Sequence, residues 1–156
     1  MSFLLDKKAI VVTGSSGLLG KQFCKVISKS GGLPIMLDIE SEGSTNNQKE
    51  LKKKNLHPGF FFHCDITKEK QIQKTIKKIL AKLNDYKLTG LVNNAAFNPQ
   101  ASNSISNKIE TFNLKKWDKE IEVGLKGAFI CKKVFGSYFA KKKKGSIINI
   151  SSDLGV

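Results

Sequence analysis

Apolar residues fall into short unbroken runs that alternate with stretches of helical spacing. Residues 8–13 (KAIVVT) form an apolar run ending at Thr13-Gly14, the pattern of a buried strand. Residues 18–30 carry Leu19, Phe23, Val26 and Ile27 at helical spacing, and Gly31-Gly32 stops them. Residues 33–38 (LPIMLD) predict a second strand, with Pro34 near its start. Residues 40–57 are polar and lysine-rich and predict only a short helix near Gln48–Lys54. A third strand is predicted over 59–64 (GFFFHC). Thr67 is placed to cap the helix that follows, with Glu69 in its first turn and Ile72, Ile76, Ile79, Leu80 and Leu83 as its apolar stripe. A fourth strand over 88–92 precedes a long polar loop, 97–112. One long helix is then predicted from about Leu114 to Ala140, its stripe being Leu114, Trp117, Ile121, Leu125, Ala128, Phe129 and Phe135. Lys141 to Lys144 complement that helix's dipole and Gly145 ends it. Residues 146–151 (SIINIS) predict a fifth strand. Strands alternating with helices imply an α/β fold built on a parallel sheet.

Composition narrows the picture. A chain of 156 residues suits one domain with a sizeable core, and it shows no internal repeat or interdomain linker. With 40% apolar and 26% charged residues, it is neither a disordered nor a membrane-embedded chain by composition. No apolar run reaches the ~20 residues of a spanning helix, and the first residues lack a secretory pattern. Cys24, Cys64 and Cys131 are widely spaced and odd in number, which fits a reducing, cytoplasmic setting and no membrane partner. The net charge of +14 invites a nucleic-acid reading. Yet all 27 basic residues are lysine, and arginine is the residue that reads phosphate and guanine bidentately. Codon bias in an AT-rich genome explains the lysines better, and no specific nucleic-acid partner is expected. His57, His63 and Cys64 lack a second Cys or His pair at metal-ligand spacing, so no metal site is expected.

The chemistry starts at the first strand–helix junction, Thr13–Gly20 (TGSSGLLG). Gly14 permits a tight turn, Gly17 lets backbone approach a pyrophosphate, and Gly20 lets the helix pack closely on the sheet. Amides of Ser15, Ser16, Leu18 and Leu19 then lie at a helix N-terminus that favours an anion. The second strand ends at Asp38, whose carboxylate would accept from both adenosine ribose hydroxyls and repel a 2′-phosphate. Together these predict NAD as cofactor in preference to NADP.

Four motifs in order resemble the short-chain dehydrogenase/reductase family. Thr13–Gly20 is similar to its glycine turn, and Asp65-Ile66-Thr67 to its D-[VIL]-T segment, where the Asp holds the adenine edge. Asn93-Asn94-Ala95-Ala96 resembles its N-N-A-[GA] motif, and Gly145–Ser152 its fifth strand with the catalytic serine at the end, here Ser152. The resemblance implies a single Rossmann-type domain over residues 1–156: a doubly wound parallel sheet with helices on both faces, cut after its fifth strand. It implies a cofactor site of Gly14, Ser15, Ser16, Gly17, Leu18, Leu19, Gly20, Asp38, Asp65, Ile66, Asn94 and Ala95. It implies hydride transfer between nicotinamide and an alcohol or carbonyl substrate, a sugar derivative among the candidates, and a homo-oligomeric full-length form paired through the long helix.

The departures bear on mechanism. The family's Tyr-x-x-x-Lys pair should follow Ser152 by about a dozen residues, and the chain given ends at Val156. Neither Tyr86 nor Tyr138 stands in the right place to replace that tyrosine. The expectation is therefore an N-terminal part that does not turn over substrate on its own. Gly124 occupies the position where many members carry a catalytic Asn, which puts the usual proton relay in doubt. The glycine spacing G-x-x-G-x-x-G matches the family's extended branch, whereas NNAA and NISS match the classical one. Two other readings stay open: a non-catalytic dinucleotide-binding module, and an extended-type nucleotide-sugar epimerase or dehydratase. The segments NPQ, GLKGAF and NISSDLGV resemble, weakly, a branch tied to flagellin modification and surface-sugar biosynthesis.

Overall fold

The computed structural model describes residues 4–97 and 109–151. Five parallel strands form one sheet in the order β3-β2-β1-β4-β5: β1 Lys8–Thr13, β2 Leu33–Asp38, β3 Phe60–His63, β4 Lys87–Asn93 and β5 Ser146–Asn149. The chain steps outward from β1 to β3, crosses back to β4 and then moves the other way. That reversal makes the gap between β1 and β4 the point where an open α/β sheet binds ligands. The α/β, doubly wound architecture expected from the sequence is the one observed, the strand ends differing by a residue or two.

Alternation along the strands supplies two cores. Ala9, Val11, Leu33, Ile35 and Leu37 face α3 (Glu69–Lys82) and α5 (Ala128–Lys142), where they meet Ile72, Ile79, Cys131 and Phe135. Val12, Met36 and Val92 face α1 (Leu18–Lys29) and α2 (Ser41–Lys53), where they meet Cys24, Ile27 and Leu51. Strands buried on both faces read as continuous apolar runs, which is why β1 and β2 were legible.

The helices depart further from expectation. α2 spans Ser41–Lys53, not Gln48–Lys54, because its inward face is Ser44, Asn47 and Leu51. Two of those three are polar and buried through hydrogen bonds, so hydropathy gives no stripe there. Thr67 is not the cap of α3: the N-cap is Lys68, and no side chain caps that end. The α3 stripe is buried except Leu80, which is partly exposed. In α1, Leu19 and Val26 are exposed, and the inward face is Gly20, Cys24, Ile27 and Ser28.

The long helix is three pieces: α4 (Leu114–Glu120), a π-helical segment (Ile121–Gly127) and α5. Of the predicted stripe, Phe135 alone is fully buried in the core. Leu114, Trp117, Ile121, Leu125 and Phe129 are exposed, while Ile130, Cys131, Phe135 and Phe139 are buried. α4 has no buried residue, so its apolar positions meet solvent, and the wider turn of the π segment shifts the spacing before α5 begins. α5 ends at Lys142, with Lys143 left-handed (φ 51°) as its C-cap, so the lysine run itself carries the helix end ahead of Gly145. Phe60, Phe61 and Phe62 are half-buried on the edge strand β3.

Candidate functional site

The sheet register sets Thr13, Asp38, His63, Asn93 and Asn149 at the same, C-terminal edge. Gly14 follows with φ +64°, a conformation that L side chains rarely adopt, and a Cβ there would lie 2.8 Å from Ala95 Cα. A Cβ on Gly20 would meet the Gly14 carbonyl and come within 2.8 Å of Ser15 Cα. The glycines at both ends of the turn are thus required by close backbone packing. Gly17 closes the turn by donating its N–H to Gly14 O at 3.2 Å and is the N-cap of α1, with no side chain capping that end. The first-turn amides from Leu18 to Gly20 are therefore left to an outside acceptor, the condition for anion binding.

Thr13 and the segment after β4 hold the turn from behind. Thr13 is fully buried, and its Oγ1 accepts from the Asn94 N–H (3.0 Å) and the Ala95 N–H (3.1 Å). Asn94 Nδ2 donates in return to Thr13 O (3.0 Å) and Gly14 O (3.1 Å). Sequence reasoning assigned Asn94 to the cofactor; in the structure its amide N–H groups are spent on the glycine turn. Thr13 was missed, although its inward parity with Ala9 and Val11 marks a hydroxyl that must find partners once buried.

Asp38 is half-buried at the end of β2. Its Oδ2 accepts the Ser16 N–H (2.8 Å) and its Oδ1 accepts the Glu40 N–H (3.0 Å). A carboxylate offers about four acceptor positions. Two are used, leaving about two, as many as the adjacent hydroxyls of a ribose.

Asp65 and Ile66 follow β3, tied to the site where Cys64 N–H donates to Asp38 O (2.9 Å). Asp65 Oδ1 accepts from both the backbone N–H (2.9 Å) and the hydroxyl (2.8 Å) of Thr67. Burial works to raise the Asp65 carboxyl, but the Thr67 hydrogen bonds and the Lys68 and Lys119 charges outweigh it and hold it below its usual range. Ile66 is buried beneath the π segment, where a Cβ on Gly127 would lie 2.7 Å from Ile66 Cδ1.

Beside β5, Asn93 Nδ2 donates to Asn149 Oδ1 (2.9 Å) and to Ala128 O (3.3 Å), pinning β4 to β5 and to the start of α5. A Cβ on Gly124 would meet nothing within 4 Å, so the position has room for the Asn that the family resemblance leads one to expect there. Ser152 lies outside the described residues, as does most of the predicted 97–112 loop; its end, Ile109–Thr111, is a 3-10 turn. The structure therefore brings Gly14, Ser15, Ser16, Gly17, Asp38, Asn94 and Ala95 together, opens α1 beside them at Leu18 and Leu19, and sets Asp65 and Ile66 at the neighbouring strand end. Among the described residues no helix is long and apolar enough to cross a membrane.

Comparison with known proteins agrees with this geometry. Residues 8–156 match the family described as short chain dehydrogenase. Similar curated proteins include a 3-oxoacyl-[acyl-carrier-protein] reductase of Thermotoga maritima, 28% identical over 97% of this chain and 58% of its own length. An NAD-dependent glycerol dehydrogenase of Listeria innocua is 27% identical over 99% of this chain and 56% of its own. An NADP-dependent mannitol dehydrogenase of Alternaria alternata is 27% identical over 98% and 56%. Among solved structures, an NAD+-bound xylitol dehydrogenase superimposes with a TM-score of 0.86, at 20% identity, over 97% of this chain and 55% of that one. The chain thus spans little more than half the length of these relatives. With the glycine turn, the Asn-Asn-Ala-Ala segment and the strand order all in place, the chain belongs to the short chain dehydrogenase family.

Proposed function

We propose that this chain is the cofactor-binding part of an NAD-preferring oxidoreductase acting on an alcohol or carbonyl. The observation that carries the reading is the Asp38 carboxylate, held beside the glycine turn by the Ser16 and Glu40 amides with acceptor capacity to spare. Related proteins use NAD in one case and NADP in another, so family membership alone does not choose between them. The choice rests on charge: a carboxylate at this position binds ribose hydroxyls and repels a 2′-phosphate.

The residues present fit a dinucleotide. The uncapped first turn of α1 would hold the pyrophosphate, Asp38 the adenosine ribose, and Asp65 with Ile66 the adenine side. When bound, the nicotinamide supplies hydride transfer. Thr13 and the Asn94 N–H groups keep the turn in the shape that exposes its amides. By resemblance Ser152 would hold the substrate oxygen, and polyol or sugar-like substrates are supported by the names of the relatives. The exposed face of Leu114, Trp117, Ile121, Leu125 and Phe129 supports pairing of two copies.

Titration with NAD+ and NADP+ tests the reading. NAD+ should bind more tightly, and Asp38→Ala should narrow the difference by removing ribose hydrogen bonds worth ~1.5–3 kcal/mol and relieving the repulsion. Equal affinities in the unmodified chain would refute it.

A further inference from the structure

The face of the glycine turn away from β4 carries a second set of contacts, made by α2. Ser44 is fully buried, and its Oγ lies 2.8 Å from Ser16 Oγ and 3.3 Å from Ser15 Oγ. Ser16 Oγ donates to Glu40 O (2.9 Å). Each hydroxyl has one proton to donate. Because the Ser16 proton goes to a carbonyl, the Ser44 proton must go to Ser16, and Ser44 is then left to accept from Ser15. The order of donation is forced: Ser15 to Ser44, Ser44 to Ser16, Ser16 to Glu40.

That line ends in a closed ring around Asp38. Ser16 N–H donates to Asp38 Oδ2, Ser16 Oγ to Glu40 O, and Glu40 N–H to Asp38 Oδ1. Ser16 thus grips both the carboxylate and the residue that grips its other oxygen. Ser44 holds Ser16. Three further observations show that α2 is built for this contact. A helical serine commonly bonds back to the carbonyl one turn earlier, as Thr45 Oγ1 does to Ser41 O (2.8 Å), whereas the Ser44 hydroxyl is turned onto the glycine turn. The preceding residue is Gly43, where a Cβ would lie 2.8 Å from Ser16 Cβ and 3.2 Å from Ser16 Oγ. Asn47, one turn further on, donates to Ser15 O (3.5 Å).

We propose that Ser44 is a positioning residue for cofactor selectivity, fixing the Ser16 hydroxyl and through it the Asp38 carboxylate that meets the adenosine ribose. This rests on the reading of Asp38 as the ribose acceptor. Ser44 itself touches no cofactor. Its effect falls on the ribose end of the site, because the pyrophosphate end is held independently by Thr13 and Asn94.

The test is calorimetric titration of NAD+ and NADP+ against the 156-residue chain and its Ser44→Ala, Gly43→Ala and Thr45→Ala variants, with melting temperatures measured alongside. Ser44→Ala should lower the ratio of NAD+ to NADP+ affinity about three- to tenfold, through weaker NAD+ binding, as expected for one lost hydrogen bond. Gly43→Ala, which pushes on Ser16 from the same helix, should move the ratio in the same direction and serves as the second probe should Ser44→Ala not fold. Thr45→Ala should leave the ratio unchanged. A folded Ser44→Ala chain that keeps the unmodified ratio overturns the inference, as does an equal loss for both cofactors, which would mark Ser44 as merely structural. An unmodified chain with no NAD+ preference overturns the Asp38 reading and this inference together, whereas a preference that survives Ser44→Ala overturns this inference alone.

Discussion

At the β2 end of the sheet the glycine turn sits between two sets of polar partners, Thr13 with Asn94 on one side and Asp38, Ser16 and Ser44 on the other. The β4–β5 end is different. Two buried side-chain oxygens there, Thr89 Oγ1 and Asn93 Oδ1, have no hydrogen-bond partner among the described residues. β5 is the outer strand, its Ile148 is exposed, and an apolar groove of about 540 Å³ opens between α1 and β4–β5, lined by Ile10, Phe23, Val26 and Ile148. The helices that follow β4 show an apolar face to solvent. The glycine turn is therefore held by hydrogen bonds from distant parts of this chain, while the β5 side keeps apolar surface exposed.

The largest test of the contrast lies on one helix. Phe135 is 0% exposed and Phe129, six residues earlier, is 64% exposed. Phe135→Ala should cost about 3–5 kcal/mol in a denaturant melt. Phe129→Ala should change stability by no more than ~0.5 kcal/mol. Equal effects would mean that the Phe129 face is covered in solution.

Next in size is the turn's back support. Thr13→Val leaves two part-buried amides, those of Asn94 and Ala95, without their acceptor, and should cost about 1–3 kcal/mol. NAD+ affinity should fall with it, since Gly14 is held by the same segment. A stable Thr13→Val chain that binds NAD+ normally would show the turn to be self-supporting.

The two cores can then be compared through their thiols. Burial pushes Cys24, in the α1–α2 core, up to about 12, and Cys131, in the α3–α5 core, up to about 12 as well. The folded state thus favours the neutral thiol more than the unfolded state does. That stability is fully present below the ordinary thiol pKa of ~8.5 and is lost as pH rises from there toward about 12. Stability should therefore decline above pH ~8.5, and neither thiol should react with a disulfide reagent at pH 8 until the chain unfolds. Prompt labelling of Cys131 but not Cys24 would locate local opening on the β5 side.

The smallest expected effect on folding comes from Leu125→Lys on the exposed helix face. Stability should move by no more than ~0.5 kcal/mol, whereas sedimentation should show a concentration-dependent associating species shifted toward monomer. An unmodified chain that is monomeric at all concentrations would remove this face as a pairing surface.

All five strands and the glycine turn were legible because their signals are local: an unbroken apolar run, a glycine where the backbone turns, an acid at a strand end. The first half of α2 was not, because Ser44 and Asn47 are buried by hydrogen bonds to Ser16 and Ser15, distant in sequence, and look like surface residues until those partners are known. The α4–α5 face was misassigned because its stripe, Leu114 to Phe129, is apolar yet exposed, and periodicity reports that a face is apolar without saying what it meets.

By itself, then, the amino-acid order determined the alternation of strand and helix, the glycine turn between β1 and α1, and the acid at the end of β2, since each depends on residues within one turn or one strand. Only the tertiary structure decided that Asn94 supports the turn, that Ser16 and Glu40 hold Asp38, that Ser44 stands behind Ser16, and which face of each helix is buried. Apart from the Glu40–Asp38 bond, which spans two positions, the hydrogen bonds behind those outcomes join residues 22 to 81 positions apart, and nothing local distinguishes a serine that will meet such a partner from one that will meet water.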